Sequence, residues 1–205
     1  SIRRHTSADV QFTPMIGPEW EYPLDGIKVG TGFSLRRWMI PKACGWEGRA
    51  IYLDADQIVF HDIRELWNKP NTQPRQDCSM WCTFQPDKYS KRPWPQTSVM
   101  VIDCKAAEFE RGWDIDQIIP YLKKNPSRET YANLMHGMCI LGSDNIVWHK
   151  KGPDQIDTTW DDLNVYRDGK TRLLHYTKED SQPLYNPAHP HAKHWHHALT
   201  LAIQD

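Results

Sequence analysis

The sequence predicts a single α/β domain. Short apolar runs of strand type alternate with segments that have helix caps and helical periodicity, an order typical of α/β folds. The 205 residues are enough for one domain with a sizeable core, and no internal repeat divides them. We therefore expect residues 1–205 to form one domain.

The composition indicates which classes of binding partner and which cellular compartment to expect for this protein. The net charge is −1 with both signs interspersed, which argues against a protein that coats nucleic acid or binds membranes through a basic surface. No apolar run approaches the roughly 18 residues that span a bilayer, and no signal peptide opens the chain. The five cysteines are odd in number and lack zinc-finger spacing, so we expect free thiols in a reducing compartment. The expected location is the cytoplasm, without nucleic-acid partners or an integral membrane segment.

The first half of the chain alternates between extended, looped and helical segments. The apolar residues between Ser34 and Cys44 have helical spacing, with Ser34 as the N-cap and Gly45 at the end. Proline and glycine are frequent between Gly17 and Gly32, which predicts a loop. The predicted elements are a strand at 8–16, the loop at 17–32, the helix at 34–44, an apolar strand at 50–60 and a short helix at 63–67.

The second half continues the alternation. Asn125 and Pro126 end one predicted helix, and Ser127 is the N-cap of the next. The predicted strands lie at 80–84, 98–103, 144–149 and 172–175, and the predicted helices at 115–124, 128–135 and 195–203.

Two carboxylates interrupt the apolar run from Ala50 to Phe60. In an extended strand, Asp54 and Asp56 point to the same side while Ala55 faces away. Two like charges on an apolar strand repel each other and resist burial unless a cation compensates them. A divalent metal with oxygen ligands supplies that compensation. The alternative is a strand that ends at a polar turn with both acids solvated.

Four segments of the chain resemble the nucleotide-sugar glycosyltransferases of the GT-A fold, especially the family 8 group of glycogenin-like and bacterial lipopolysaccharide enzymes. The first is the Asp-x-Asp segment at 48–67, with its following Asp-Ile-x-Glu-Leu-Trp. The others, in the expected order, are 33–41, 97–104 and 173–177. The resemblance implies one catalytic domain with a Rossmann-like mixed central sheet flanked by helices.

The resemblance also implies a metal site. His175 matches the histidine that completes this site in the family, so the expected ligands are Asp54, Asp56 and His175. An imidazole beside carboxylates shifts the preference from Mg²⁺ toward Mn²⁺. The alternative for His175 is an ordinary histidine at a strand end.

The donor expected from the resemblance is a nucleotide sugar, a UDP-linked hexose. Arg37 occupies the place of the family's arginine, which binds a phosphate or sugar hydroxyl through two parallel hydrogen bonds, and Arg36 is the competing choice. Lys178 is expected to face the diphosphate, although the Gln-Pro-Leu at 182–184 only partly matches the family pattern that follows. The donor and metal residues are then Arg37, Asp54, Ala55, Asp56, Thr97, Ser98, His175 and Lys178.

The catalytic residues implied by the resemblance are Asp154 and Gln155, which together with the Leu163-Asn164 pair resemble the family's segment near the reacting carbon. The expected reaction is transfer of a hexose to a glycan or lipopolysaccharide-type acceptor with retention of configuration. The alternative for Asp154 is a loop carboxylate without a chemical role. The alternatives for the whole chain are a nucleotide-sugar binding module without transfer activity and a metal-dependent phosphohydrolase.

Two further features lead to expectations. The histidine-rich segment 189–197 is irregularly spaced and contains proline, so we expect an exposed approach to the last helix rather than a second metal site. In the resembling enzymes a hydrophobic first strand precedes the helix whose end matches residues 1–6. We therefore expect about 20 additional N-terminal residues in the functional protein, carrying that strand and part of the base pocket.

Overall fold

The computed structural model describes residues 1–22, 27, 32–69, 79–85, 94–108, 114–132, 134–135, 154–177 and 182–204. Strands and helices alternate along these residues and form two sheets. The predicted α/β class is confirmed. The strand predicted at 144–149 lies outside the described residues.

The larger sheet has four strands and mixed direction. Strands β1 (Arg49–Leu53) and β3 (Met80–Gln85) each pair with β4 (Trp94–Asp103) in antiparallel fashion, whereas β5 (Asp154–Ile156) pairs with β3 in parallel. Residues 99–102 of β4 have no exposed surface, so this central strand is covered on both faces. The spatial order is β1-β4-β3-β5.

The smaller sheet has three strands in the order β2-β7-β6. Strand β2 is Gln57–Val59, β6 is Asp162–Leu163 and β7 is Leu173–His175. The apolar run predicted as one strand at 50–60 is therefore divided, because β1 ends at Leu53 in one sheet and β2 begins at Gln57 in the other. Residues 54–56 form the connection between the two sheets.

The helix predicted at 34–44 is present, but most of it is a 3₁₀-helix. A 3₁₀ segment at Gly32–Met39 continues directly into helix α2 at Ile40–Ala43. Side chains three residues apart lie on one line in a 3₁₀-helix, so Leu35 and Trp38 both enter the core. Ser34 and Arg37 lie on the adjacent line of this helix and are buried as well.

The other helices follow the predictions closely. Helix α5 spans Ile115–Lys124 as predicted, and its buried residues recur at helical spacing. Ser127 caps the next helix, since its Oγ accepts a hydrogen bond of 2.9 Å from the Thr130 N–H. The helices are α1 (Ile2–His5), α2 (Ile40–Ala43), α3 (Arg64–Trp67), α4 (Cys104–Glu108), α5, α6 (Arg128–Ala132) and α7 (Ala192–Gln204), with further 3₁₀ turns at Pro18–Trp20 and Thr158–Asp161.

The strand predicted at 8–16 is wrong. These residues pair with none of the described strands, and Phe12 and Ile16 are 43% and 69% exposed. Pro14 offers no N–H to a ladder. Without a buried face or a complete set of donors, this segment has no physical reason to join a sheet.

Two hydrophobic clusters support the ends of the strands. Val99 and Val101 pack with Trp81, Trp160 and neighbouring apolar residues of both sheets, and the opposite side of the larger sheet is covered by the 3₁₀ helix, α2 and α5. The described residues include Cys44, Cys82 and Cys104, and none of these three forms a disulfide within that part of the chain. No helix in the described part of the chain is long and apolar enough to cross a membrane.

Candidate active site

The predicted metal ligands come together at the connection between the two sheets. Asp54 directly follows β1, Asp56 lies two residues later in the turn, and His175 ends β7. One ligand atom from each lies within 4.8 Å of the others. Their predicted convergence is confirmed, but its cause is the turn at 54–56 rather than the alternation of an extended strand.

Backbone hydrogen bonds hold this turn in place. The Asp54 N–H donates to the Ser98 carbonyl oxygen of β4 at 3.1 Å, and the Tyr176 N–H donates to the Asp56 carbonyl oxygen at 3.1 Å. The Gln57 side chain donates to the same Ser98 oxygen at 3.2 Å. The turn is thereby fixed to both sheets, one at each end.

Asp56 has one oxygen that the protein satisfies and one that it does not. Oδ2 accepts a hydrogen bond of 2.8 Å from Gln182 Nε2. Oδ1 is buried and has no hydrogen-bond partner among the described residues, although it lies 3.2 Å from His175 Nε2. A buried carboxylate oxygen without a donor is costly unless a cation faces it. This oxygen therefore fits a metal ligand.

Asp54 is held by an aromatic hydroxyl and a guanidinium. Its Oδ1 accepts a hydrogen bond from the Tyr52 hydroxyl and lies 3.5 Å from Arg37 Nη2. Its Oδ2 lies 4.0 Å from His175 Nε2. Burial raises the pKa of Asp54, while the Arg37 charge and the Tyr52 hydrogen bond lower it. The contacts on Oδ1 thus leave Oδ2 on the side of the histidine.

His175 is 7% exposed and lies between two sets of carboxylates. Its Nε2 faces Asp56 and Asp54, and its Nδ1 lies 2.9 Å from Asp161 Oδ1. Burial by itself lowers the pKa of His175, but the hydrogen bond to Asp161, the close contact with Asp56 and the charges of both carboxylates raise it to about 9. A metal that binds Nε2 has to displace any proton carried there.

Arg37 is buried, with 6% of its surface exposed. Its Nε donates to the Ser34 carbonyl oxygen at 3.0 Å, and its Nη1 donates to the carbonyl and hydroxyl oxygens of Thr97 at 2.7 and 2.6 Å. The guanidinium also stacks over the Tyr52 ring at 4.8 Å. These contacts direct the remaining nitrogen, Nη2, toward Asp54. The competing Arg36 points elsewhere and donates to the Met15 carbonyl oxygen at 2.7 Å.

The remaining predicted donor residues differ in their placement. Thr97 and Ser98 are buried, and their hydroxyls donate to the Met135 carbonyl oxygen at 2.8 Å and to Asp161 at 2.9 Å. Ala55 is exposed at the tip of the turn. Lys178 lies outside the described residues. The structure therefore brings Thr97 and Ser98 next to the site through its supporting hydrogen bonds.

Asp154 and Gln155 lie in β5, at the far edge of the larger sheet. Asp154 is paired with Trp81 of β3. Trp81 and Ile51 are both paired with Val101 of β4, so Asp154 lies at the level of Ile51. That level is three residues before Asp54, or roughly 10 Å back along the sheet. The Gln155 side chain is exposed. The described register therefore does not bring this pair next to Asp54, and their catalytic role stays a prediction.

Sequence reasoning missed Asp161, Gln182 and Tyr52. Asp161 belongs to a segment that the sequence singled out, but nothing in its spacing connects it with a histidine 14 residues later. Gln182 lies 126 residues from Asp56. Only Tyr52 carried a local signal, because it lies two residues before Asp54 and therefore on the same side of a strand.

The histidine-rich segment makes aromatic contacts and is only partly exposed: His189 is buried, at 9% exposure, so the expected exposed approach to the last helix is wrong at that residue. His189 lies edge-on to Tyr176 at 5.1 Å between ring centroids, and His194 lies 4.0 Å from the Tyr166 ring. His196 and His197 are exposed. Within the described ranges, the group of three metal-ligating side chains is the one formed by Asp54, Asp56 and His175.

Similarity to known proteins was found at the level of structure. No protein-family model and no curated protein matches the chain. The bifunctional glycosyltransferase WbbM, in its apo form, superimposes with a TM-score of 0.51 at 12% identity, over 75% of this chain and 33% of WbbM. An active-site mutant of LgtC superimposes with a TM-score of 0.51 at 13% identity, over 80% of this chain and 65% of LgtC.

The chain has the GT-A fold. This is the fold that the sequence resemblance implied. The chain spans about one third of WbbM and just under two thirds of LgtC. In this GT-A fold, the group formed by Asp54, Asp56 and His175 lies where β1 of the central sheet ends, at the carboxyl end of a strand, where open α/β sheets bind ligands.

Proposed function

We propose that the chain is a metal-dependent glycosyltransferase. It transfers a hexose from a nucleoside-diphosphate sugar, which we take to be UDP-linked, to a glycan or lipopolysaccharide-type acceptor. The observation that carries this proposal is the convergence of Asp54, Asp56 and His175 within 4.8 Å at the end of β1 in a GT-A fold. The buried, unpartnered Oδ1 of Asp56 supports it.

The proposed metal ligands are Asp54, Asp56 and His175. A divalent cation held by these residues would supply positive charge against the negative charge that grows on the leaving diphosphate. Two carboxylate oxygens and one imidazole nitrogen favour Mn²⁺ over Mg²⁺. The ligand set therefore predicts the order of metal preference as well as the need for a metal.

Neighbouring side chains hold the ligands before the donor binds. Arg37 and Tyr52 fix Oδ1 of Asp54, and Gln182 fixes Oδ2 of Asp56. Ligands held in this way lose little rotamer freedom on binding. Arg37 then serves the diphosphate mainly by placing Asp54, because its Nε and Nη1 donate to protein oxygens. We assign Lys178 to the diphosphate itself, as the resemblance implies.

We further propose that the reaction retains the configuration of the sugar. Support comes from the resemblance to a retaining family. In a front-face reaction the leaving phosphate itself takes the proton of the acceptor hydroxyl, while Asp154 or Gln155 stabilises the positively charged sugar. Loss of Asp154 should then lower the rate of transfer more than the affinity for the donor. An unchanged rate in Asp154→Asn would remove this residue from the mechanism.

The test is incubation of the chain with a panel of nucleotide sugars and Mn²⁺, with nucleotide release measured in the presence and absence of acceptor glycans. Release that requires both Mn²⁺ and an acceptor is the expected result. Donor binding without release would indicate a binding module, and release of inorganic phosphate from phosphate esters would indicate a phosphohydrolase. Proton NMR of the first product then decides the stereochemistry, since an anomer opposite to that of the donor contradicts retention.

A further inference from the structure

Asp161 is a fully buried carboxylate that accepts hydrogen bonds from three strands. Its Oδ2 accepts from Ser98 Oγ of β4 at 2.9 Å and from Thr83 Oγ1 of β3 at 3.1 Å. Its Oδ1 lies 2.9 Å from Nδ1 of His175 in β7. Its own backbone oxygen accepts from Gln85 Nε2 at 2.8 Å. Both carboxylate oxygens are thus occupied inside the protein, at 0% exposure.

The two nitrogens of the His175 ring face different partners. Nδ1 faces Asp161, whereas Nε2 lies 3.2 Å from Asp56 Oδ1 and 4.0 Å from Asp54 Oδ2. An ionised carboxylate can only accept a hydrogen bond. The proton of a neutral imidazole is therefore stabilised on Nδ1, and the lone pair of Nε2 is left toward the other two carboxylates.

We propose that Asp161 is a positioning residue that fixes the tautomer and the orientation of His175, so that Nε2 binds the metal. This inference rests on the metal site proposed above. A carboxylate behind a ligating histidine fixes the ring and increases its basicity, and its loss typically costs about 10- to 100-fold in metal affinity. Asp161 is not itself a ligand, because it contacts the ring at Nδ1, on the edge away from Nε2.

Ser98 connects Asp161 with Asp54, the other end of the proposed metal site. Its hydroxyl donates to Asp161, and its carbonyl oxygen accepts the N–H of Asp54. One residue of β4 therefore supports the residue behind His175 and the backbone of Asp54 together. This shared support fixes the position of Asp54 relative to His175, which belongs to the other sheet.

The first experiment compares Mn²⁺ binding to the chain and to Asp161→Asn by titration calorimetry. The amide can present its NH₂ group to Nδ1, which stabilises the proton on Nε2 and blocks the ligand atom. We expect a loss of about 10- to 100-fold in Mn²⁺ affinity. The matched control is Asp162→Asn, a neighbouring buried carboxylate that binds Thr171 and Arg167 instead of His175. Its Mn²⁺ affinity should equal that of the parent.

The second experiment records the tautomer directly. In chain labelled with ¹⁵N-histidine and loaded with diamagnetic Cd²⁺, long-range ¹H–¹⁵N spectra should show His175 protonated at Nδ1 and bonded to Cd²⁺ through Nε2. This measurement needs only the parent protein, so it decides the question even if Asp161→Asn fails to fold. Cd²⁺ bound at Nδ1, or a proton on Nε2, overturns the proposal.

The outcomes separate the two proposals. If the parent chain binds neither Mn²⁺ nor Cd²⁺, the metal site and the role of Asp161 both fall. If the parent binds Mn²⁺ and folded Asp161→Asn binds it equally well, the metal site stands and the positioning role is overturned. Equal weakening by Asp161→Asn and Asp162→Asn also overturns it, because a general loss of packing would then explain the effect.

Discussion

Two pairs of aspartates lie close to His175, and the protein treats them differently. The side chains of Asp54 and Asp56 are 25% and 24% exposed, whereas those of Asp161 and Asp162 are 0% and 9% exposed. Asp161 accepts from two hydroxyls and contacts His175, and Asp162 accepts from Thr171 and pairs with Arg167. Asp56, in contrast, keeps a buried oxygen without a donor.

The difference shows how location decides what a carboxylate can do. The half-buried pair lies in a turn between two sheets, where donors reach Oδ1 of Asp54 and Oδ2 of Asp56 and leave the other two oxygens on the side of His175. The buried pair ends a 3₁₀ helix and begins β6, so strands and loops surround it with donors. A buried carboxylate with every oxygen satisfied contributes to the fold, while one with an open oxygen is suited to bind a cation.

The largest effect is expected for Asp56→Ala. Removing the carboxylate with the open oxygen should lower the affinity for Mn²⁺ by more than about 100-fold, beyond the range expected for a residue behind the ligands. Metal-dependent donor binding should be lost while the fold is kept, as measured by calorimetry and circular dichroism. The control is Asp168→Ala, an exposed aspartate that accepts only from Tyr166 among the hydrogen bonds described. Unchanged Mn²⁺-dependent nucleotide binding in Asp56→Ala would show that the site is misplaced.

Next comes Arg37→Lys, which keeps the charge beside Asp54 but loses the planar fork. A lysine cannot contact Ser34, Thr97 and Asp54 in the geometry of the guanidinium, so turnover should fall by about 10-fold and the free energy of unfolding by about 1–3 kcal/mol. Initial rates and denaturant unfolding measure the two effects. Arg36→Lys is the matched control and should leave turnover near that of the parent. Equal turnover in Arg37→Lys and the parent contradicts the positioning of Asp54 by Arg37.

Thr171→Val tests the buried pair through its hydroxyl donor. Thr171 Oγ1 donates to Asp162 Oδ2 at 2.6 Å and accepts from the Arg167 N–H at 2.8 Å. Losing both bonds should lower the free energy of unfolding by about 1–3 kcal/mol, with unchanged Mn²⁺ affinity. Thr200→Val, on the exposed face of α7, should change stability by less than about 0.5 kcal/mol. A fall in Mn²⁺ affinity in Thr171→Val would contradict the assignment of Asp162 to the stability of the fold rather than to the metal site.

The smallest effect is expected for Gln182→Ala, which removes the donor to Asp56 Oδ2. One net hydrogen bond is worth about 0.5–1.5 kcal/mol, so Mn²⁺ affinity should fall by about 2- to 10-fold. Gln117→Ala, which removes an exposed contact with Asp114, is the control in the same calorimetric titration. If the Mn²⁺ affinity of Gln182→Ala equals that of the parent, the hydrogen bond from Gln182 does not position Asp56 for the metal.

Part of this arrangement could be predicted from the sequence. Asp54 and Asp56 stand out because charges interrupt an apolar run, and His175 was added by the resemblance. The strand at 50–60 was misjudged because periodicity does not reveal that a chain leaves one sheet and enters another. Arg37 was expected to face the donor, but its burial depends on Thr97, which lies 60 residues away. Contacts at such separations have no signature in local sequence.

Asp161 illustrates the same limit more sharply. The segment 158–164 contains a second acid, Asp162, and neither composition nor spacing distinguishes these buried carboxylates from solvated ones. Ser98 and Thr83, which donate to Asp161, precede it by 63 and 78 residues. Only the pairing of β3 with both β4 and β5 brings them together.

The turn at 54–56 joins the two sheets, and the candidate ligands come from both sides of that junction. A cation held there would link the two sheets. Occupancy of the metal site would therefore be coupled to the free energy of unfolding of the whole chain. Ligand at 100 times its dissociation constant adds about 2.7 kcal/mol to the free energy of unfolding. The resistance of the protein to heat and to proteases would then report the free concentration of the metal, even in the absence of any sugar donor.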